Sequence, residues 1–470
     1  MARFDTDLCI IGAGSGGLVI ASGAVQLGAR VTLIEGGKMG GDCLNYGCVP
    51  SKALLAAAKV AQTVRQGGMG VAGVTPAVDF AAVMAHVHGS IATIAPHDSQ
   101  ERFEGLGVRV IRGWARFAGP DRVEVAGRTI TARRFVIATG AQAIVPDLRG
   151  LDAVPYHTNE TLFELAELPR HLVILGGGPI AAEMAQAFRR LGAEVTIIAR
   201  SRMMGQDDPE AVAVVTARLQ AEGVVLLEGR TAASVALATG GFALTLSDGR
   251  VVDGSHLLLA LGRRPALKRL ELQAAGVAVN ETGVVVDARL RTSNRRIFAI
   301  GDAAGRGQFT HLAAYHAGIV LRQAVLGLPA KANAPIPRVT YTEPELAQIG
   351  LTEGEARKAH GDALIVQRVG FDHMDRAITD ETTEGFLKLM IVNGRPVGVT
   401  LVGAHAGEQI GLWALALSAR VKLSAIAGMV APYPTLGEIA KRAAGAYFSP
   451  RLFDSPMIKN VVRVLQRILP

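Results

Sequence analysis

Two of the chain's three cysteines, Cys43 and Cys48, stand five residues apart in the stretch GGDCLNYGCVPSK, residues 40–52. Paired cysteines ligate a metal, staple a fold, or cycle between dithiol and disulfide. Structural zinc needs a second pair of ligands at similar spacing, and the chain has only Cys9 besides. In a straight helix, residues five apart have Cα atoms roughly 8 to 9 Å apart and face different ways. A disulfide needs Cα atoms about 4.4 to 6.8 Å apart. The segment must therefore bend for the sulfurs to meet, and Gly47 can permit the bend. Two ordinary buried cysteines are the bland alternative. Their closeness, beside Gly-Gly, Gly and Pro, favours a redox-active pair.

The elements around this stretch are those of a nucleotide-binding enzyme. Residues 8–11 read as a strand, residues 15–28 as a helix and residues 30–35 as a second strand, a βαβ unit. Its turn places Gly12, Gly14 and Gly17 at the three fingerprint positions, which serve a tight turn, close approach of a pyrophosphate, and close helix-to-strand contact. Glu35 ends the second strand, where a carboxylate can accept hydrogen bonds from a ribose. A second unit begins at His171 in HLVILGGGPIAAEMAQAFRRLGAEVTIIAR, with Gly176, Gly178 and Ala181 in the corresponding places. Its second strand ends on Ala199 and Arg200, followed by Arg202. A carboxylate there would repel a 2′-phosphate and an arginine would pair with it, so NADPH is expected in preference to NADH. The rival reading leaves Arg200 as a solvated surface charge.

Between the units, ARRFVIATGA leads from a strand into Ala138, Thr139 and Gly140, and HLLLALGRRP repeats the pattern around Gly262. A further apolar strand in RRIFAIGDAAG ends at Gly301 and Asp302, ahead of a helix over residues 310–326. An acid just past a strand, at the carboxyl edge of a sheet, suits a polar ligand; a helix N-cap is the alternative. After Pro335 and Pro337, alternating strands, a hairpin around Asn393-Gly394 and then helices describe a separate α+β domain.

With 470 residues the chain divides into three or four domains, and 49% hydrophobic, 19% charged residues and 55 glycines fit a soluble α/β enzyme. Three cysteines exclude a secreted disulfide scaffold. The N-terminus runs straight into a strand without a signal-peptide pattern, so a cytoplasmic location is expected. No run of about 18 apolar residues supports a membrane span. The net charge of +8 is spread along the chain without a basic run, which argues against nucleic acid and for a general attraction to anionic ligands.

Taken together, GGDCLNYGCVPSK, the two glycine fingerprints, ATG, ALGRRP and AIGD resemble, in order and along essentially the whole chain, the class I pyridine nucleotide-disulfide oxidoreductases. These include glutathione reductase, dihydrolipoamide dehydrogenase and mercuric reductase. The resemblance implies an α/β chain with two Rossmann-like dinucleotide-binding domains and a C-terminal α+β dimerisation domain. The expected parts are an FAD domain at 1–146, an NAD(P)H domain at 147–265, a central domain completing the FAD site at 266–336, and an interface domain at 337–470 of a homodimer. FAD would contact Gly12, Gly14, Gly17, Glu35, Gly41, Ala138, Thr139, Gly140, Gly301 and Asp302, the last on its ribityl chain. NADPH would contact Gly176, Gly178, Ala181, Arg200, Arg202 and Gly262. Cys48 would be the charge-transfer thiol, Cys43 the sulfur that attacks substrate, and Lys52, paired with Glu183, would sit near flavin N5. A cation such as Lys52 favours the reactive thiolate.

The sequence departs from the disulfide reductases of this family where they carry His-Pro-Thr and then Glu, the His acting as acid and base from the partner subunit. Here PYPTLGE puts Tyr433 in the place of that His, ahead of Glu438. A phenol near pKa 10 is a poor base at neutral pH, and an imidazole near 6.5 is well matched. Mercuric reductase also has a tyrosine there, yet it delivers metal through a C-terminal cysteine pair, and this chain ends VVRVLQRILP. Any metal must be handled by Cys43 and Cys48 alone; no resident metal site is expected. Pro179 stands where glutathione reductase has a tyrosine gate. Asp42 replaces the usual Thr and must turn away from FAD phosphates or meet a cation. The leading expectation is an FAD-dependent reductase that oxidises NADPH and acts on a disulfide, a metal ion or another soft acceptor. The alternatives are an NAD-linked dihydrolipoamide dehydrogenase and a non-catalytic redox-sensing flavoprotein. A last helix over residues 456–469, with Lys459, Arg463 and Arg467 on one stripe and a wide apolar arc, is expected to dock on the dimer domain, with a membrane surface or a protein partner as the alternative.

Overall fold

The computed structural model describes residues 4–469. The chain divides into two compact units, Met1–Arg200 with Gly223–Asn333, and Ser201–Glu222 with Ala334–Pro470.

The first unit opens with β1 (Thr6–Ile11), α1 (Ser15–Gln26) and β2 (Val31–Glu35). Strands of a parallel sheet are covered on both faces and so read as continuous apolar runs; TDLCII and VTLIE fit this, being buried almost throughout. They lie in a seven-stranded sheet with order Arg109–Arg112, β2, β1, Arg128–Ile137, then the ribbon Arg122–Val125 and Arg116–Gly119. Ile297–Ala299 also pairs in parallel with Arg128–Ile137, so the AIGD segment ends beside the first glycine turn's own sheet. Helix α1 can lie close to β1 because of Gly17, where a Cβ would come to 1.9 Å from the Gly12 carbonyl oxygen.

A second, four-stranded parallel sheet repeats the plan with order Val225–Glu228, Glu194–Ala199, His171–Leu175, His256–Leu259. Its helix, Pro179–Leu191, starts on a proline, which suits a first helical position that needs no N–H, and stops at Gly192 with φ +118°. The helix expected over 310–326 runs Thr310–Ala324.

In the second unit a five-stranded antiparallel sheet has order Arg338–Thr340, Glu345–Gly350, Arg395–Gly403, Phe386–Val392, Ile365–Gly370. Asn393 and Gly394, with φ 50° and 68°, form the tight turn between Phe386–Val392 and the central strand Arg395–Gly403. Trp413 on the helix Ala406–Ser418 is buried in the core of this sheet. Lys388, buried on Phe386–Val392, bridges Asp208 at 3.0 Å, Glu210 at 2.9 Å and Glu353 at 2.9 Å. These pairs fasten the segment Ser201–Glu222 to the sheet.

The C-terminal helix, Pro456–Ile468, forms as expected, and none of its side chains is buried against its own chain. Ser455 caps it and Pro456 begins it, which starts an independent helix rather than prolonging Glu438–Phe453.

Candidate active site

The redox stretch folds as two helices broken at Gly47. The short α2 (Gly41–Asn45) carries Cys43, and the long α3 (Cys48–Gln66) begins with Cys48. The sequence demanded a bend between the sulfurs, and this break is that bend. Cys43 and Cys48 share a hydrogen bond as free thiols. Gly40 and Gly41 anchor the stretch: the Gly40 N–H donates to the Ala13 carbonyl at 3.0 Å, and a Cβ on Gly41 would meet the Gly14 Cα at 2.7 Å. The redox helices are thus fixed directly on the first glycine turn.

Three helix N-termini converge on the sulfurs. Cys48 starts α3, Thr310 starts its helix and lies 3.3 Å from the Cys48 sulfur through Oγ1, and Ser15, the first residue of α1, hydrogen-bonds Cys43. The positive ends of helices favour an anion. The Cys48 thiol is lowered to about 6, chiefly by the hydrogen bond from Cys43, then by Thr310 and by the charge of Lys52, against burial and the charge of Asp42. The Cys43 thiol moves the other way, because an anionic Cys48 beside it and burial both oppose a second charge. Cys48 itself is open to solvent. The pair therefore rests as one thiolate, on Cys48, and one thiol, on Cys43.

Lys52 lies one turn along α3 from Cys48, on the same face. Its Nζ is 2.8 Å from Oε2 of Glu183, a buried carboxylate on Pro179–Leu191. A buried carboxylate needs a partner, and this pair joins the helices of the two nucleotide-binding sheets. Asp42 meets a cation, the second of the two outcomes foreseen for it: Arg263 Nη1 donates to its Oδ2 at 2.8 Å and Asn159 Nδ2 to its Oδ1 at 2.8 Å. Thr310, Asn159 and Arg263 were not singled out from sequence. Arg263 stands inside the ALGRRP motif next to Gly262, and that motif was the available signal.

The first glycine turn is built to receive a nucleotide. The only atom near a Cβ on Gly14 would be the Gly41 Cα at 3.9 Å, so the turn opens onto space. Glu35 accepts from the Ala13 and Gly37 N–H groups at 2.6 and 2.5 Å, which orients its carboxylate at the strand end. Ala138 follows its strand, with its N–H on the Ile11 carbonyl at 2.8 Å. Thr139 Oγ1 is buried with no partner among the described residues, and Gly140 turns the chain with φ +66°. Asp302 lies in the first turn of Gly301–Ala304 and does not cap it. Burial pushes its carboxyl up to about 6, although Arg263 opposes this. An orphaned threonine hydroxyl, a carboxylate short of donors and an open glycine turn fit a hydroxyl-rich dinucleotide such as FAD. Gly301 itself donates its N–H to Nδ1 of the buried His316 at 3.2 Å.

The second turn repeats the geometry of the first, where a Cβ on Gly12 would strike the Ala138 carbonyl oxygen at 2.3 Å. A Cβ on Gly176 would strike the Ala260 carbonyl oxygen at 2.1 Å, Gly178 faces open space, and Ala181 is fully buried. Arg200 is exposed at the end of Glu194–Ala199 with no ion pair among the described residues. Arg202 donates to the Gly205 and Asp207 carbonyls at 3.5 and 3.3 Å. Gly262, with φ +100°, accepts from the Ile144 N–H at 3.0 Å.

Tyr433 and Glu438 lie in the second unit. The Tyr433 hydroxyl donates to Asp375 Oδ2 at 2.9 Å. That bond and the charge of Asp375 raise the phenol above its ordinary value, taking it further from service as a base. Glu438 opens the helix Glu438–Phe453.

Comparison with known proteins settles the family. The model of the pyridine nucleotide-disulphide oxidoreductases matches residues 6–317, and the model of their dimerisation domain matches residues 336–444. The chain belongs to the pyridine nucleotide-disulphide oxidoreductase family. It is 35% identical to a mercuric reductase of Streptomyces lividans over 94% of this chain and 96% of that protein. It is also 32% identical to a dihydrolipoyl dehydrogenase of Geobacillus stearothermophilus over the same shares. Among solved structures, the Cu(II) complex of the HOCl-induced flavoprotein disulfide reductase RclA from Escherichia coli matches with a TM-score of 0.84 and 28% identity, over 93% of this chain and 99% of that one. LpdA from Mycobacterium tuberculosis matches with a TM-score of 0.86 and 27% identity, over 94% and 99%. The protein is thus an oxidoreductase of a family that depends on FAD and a pyridine nucleotide, with a redox disulfide and a dimerisation domain. Among the described residues, no helix is long and apolar enough to cross a membrane.

Proposed function

We propose that this enzyme, as a homodimer, oxidises NADPH in preference to NADH and delivers the electron pair through Cys43 and Cys48 to a soft metal ion or a similarly soft acceptor. The observation that carries the choice of acceptor is the state of Tyr433, a phenol bound to Asp375 and raised in pKa, where a thiol–disulfide exchange would need an acid and base working near neutrality. A soft cation needs only sulfur ligands. FAD, when bound, accepts a hydride from the nicotinamide and releases electrons two at a time. Lys52, fixed by Glu183, would stand near its reactive edge and hold positive charge beside Cys48. The Cys48 thiolate is the ready ligand, and Cys43 becomes the second on losing its proton. For a divalent mercury ion the balance is NADPH plus Hg(II) giving NADP⁺, H⁺ and Hg(0); for copper, two Cu(II) become two Cu(I).

The mercuric reductases among its relatives and the Cu(II) complex of RclA support a metal acceptor. Arg200, exposed and without an ion pair among the described residues where the second nucleotide strand ends, supports NADPH, with Arg202 two residues on. A dithiol that NADPH must regenerate at each turnover suits the reducing cytoplasm. The test is anaerobic NADPH oxidation against Hg(II), Cu(II), quinones, glutathione disulfide and lipoamide, repeated with NADH. The expected result is turnover with the metal ions, slow turnover with both disulfides, and higher kcat/KM for NADPH. Arg200→Glu should weaken the NADPH preference by about 1 to 3 kcal/mol. Equal use of both nucleotides by the unmodified enzyme would overturn the nucleotide assignment. The dihydrolipoyl dehydrogenase relative carries the competing reading, and rapid NAD-linked dihydrolipoamide oxidation would establish it.

A further inference from the structure

The C-terminal helix Pro456–Ile468 segregates its residues completely. At 100° per residue, Met457, Val461, Val464, Leu465 and Ile468 share one arc, and Lys459, Asn460, Arg463, Gln466 and Arg467 share the opposite one. The five apolar side chains named are between 44% and 73% exposed. Leu452 and Phe453, just before the helix, are exposed as well.

Charge says what covers this face. Residues 455–469 contain three cations and no Asp or Glu. A helix docked on protein turns its polar face to water, where both signs of charge are commonly mixed. Here the polar face carries one sign only, which is complementary to an anionic plane. The match to the family's dimerisation domain ends at residue 444, before this helix begins. Its 13 residues are too few to span a bilayer.

We propose that Pro456–Ile468 is a membrane-surface helix that holds the enzyme on an anionic lipid bilayer. Its apolar arc enters the boundary between headgroups and acyl chains, and Lys459, Arg463 and Arg467 reach up to lipid phosphates along their flexible stems. One such helix binds weakly. Two in a homodimer, an element of the function proposed above, bind together with the gain expected of linked sites.

The test is flotation of the full-length, FAD-loaded enzyme with vesicles of equal parts phosphatidylglycerol and phosphatidylcholine, beside vesicles of phosphatidylcholine alone. The enzyme should float with the anionic vesicles, stay behind with the neutral ones, and leave the anionic ones in molar salt. Each cation near an anionic surface is worth roughly a fivefold gain in binding. Lys459→Glu with Arg463→Glu should therefore weaken binding by more than about twentyfold, and Val461→Glu with Leu465→Glu should abolish it. Both variants should keep the dimer mass and the NADPH oxidation rate of the parent. Equal binding to both vesicle types would overturn the proposal. So would dissociation of the dimer by Val461→Glu with Leu465→Glu, because it would mean that a second copy covers the arc. If that variant does not fold, the charge reversal, which leaves the apolar arc intact, decides alone.

Discussion

Cys43 and Cys48 are five residues apart, yet the fold gives them opposite electrostatic surroundings. Cys48 opens a 19-residue helix and has the Lys52 charge beside it, whereas Cys43 sits within a helix of five residues and hydrogen-bonds the sulfur of Cys48; Thr310 bonds both. The chemical difference between two identical side chains comes chiefly from the hydrogen bond that Cys43 donates to Cys48, with the Lys52 charge adding to it. Gly47 breaks the helix between them and so lets the two sulfurs meet.

The most severe way to break this comparison is to remove either sulfur. Cys43→Ser or Cys48→Ser should lower acceptor reduction by at least about 10³-fold, as expected when members of a catalytic unit are lost. Single-turnover reduction of the flavin by NADPH should persist in both, and a stopped-flow comparison of the two half-reactions checks this. Next comes Tyr433→His, which supplies the base that the pair lacks for disulfide exchange. Turnover of glutathione disulfide should rise, by up to roughly 10²-fold, while metal or quinone reduction should not improve; parallel steady-state assays decide. A smaller effect follows from Lys52→Met. Loss of the cation raises the Cys48 pKa, so alkylation of the reduced apoprotein near neutral pH should slow several-fold. The smallest change should have the reverse sign. Asp42 opposes the Cys48 thiolate, so Asp42→Asn should move the alkylation midpoint slightly to lower pH.

Much of the site was legible because its signals are local. The two glycine turns, the bend at Gly47 and the Asn393-Gly394 hairpin each depend on a few neighbouring residues whose backbone requirements fix the outcome. Pairings between distant segments were not. Thr310 reaches Cys48 across 262 positions and Arg263 reaches Asp42 across 221. Nothing at Lys388 announces that Asp208, Glu210 and Glu353 gather on it, since an alternating strand gives a lysine no reason to be buried until its partners arrive from elsewhere. The Lys52–Glu183 pair was expected only through family resemblance, for the same reason. The C-terminal helix was legible as amphipathic, but the pattern records a need for cover and does not say what provides it.

The central claim, one thiolate on Cys48 beside a protonated Cys43, is tested most directly by following thiolate ultraviolet absorbance of the reduced apoprotein against pH. The account predicts that the first proton leaves near pH 6, and that in Cys48→Ser this step vanishes because the low-pH ionisation belongs to Cys48, the sulfur that takes the hydrogen bond from Cys43 and lies beside Lys52. A first ionisation at the ordinary thiol value of about 8.5, or an unchanged low-pH step in Cys48→Ser, would contradict it.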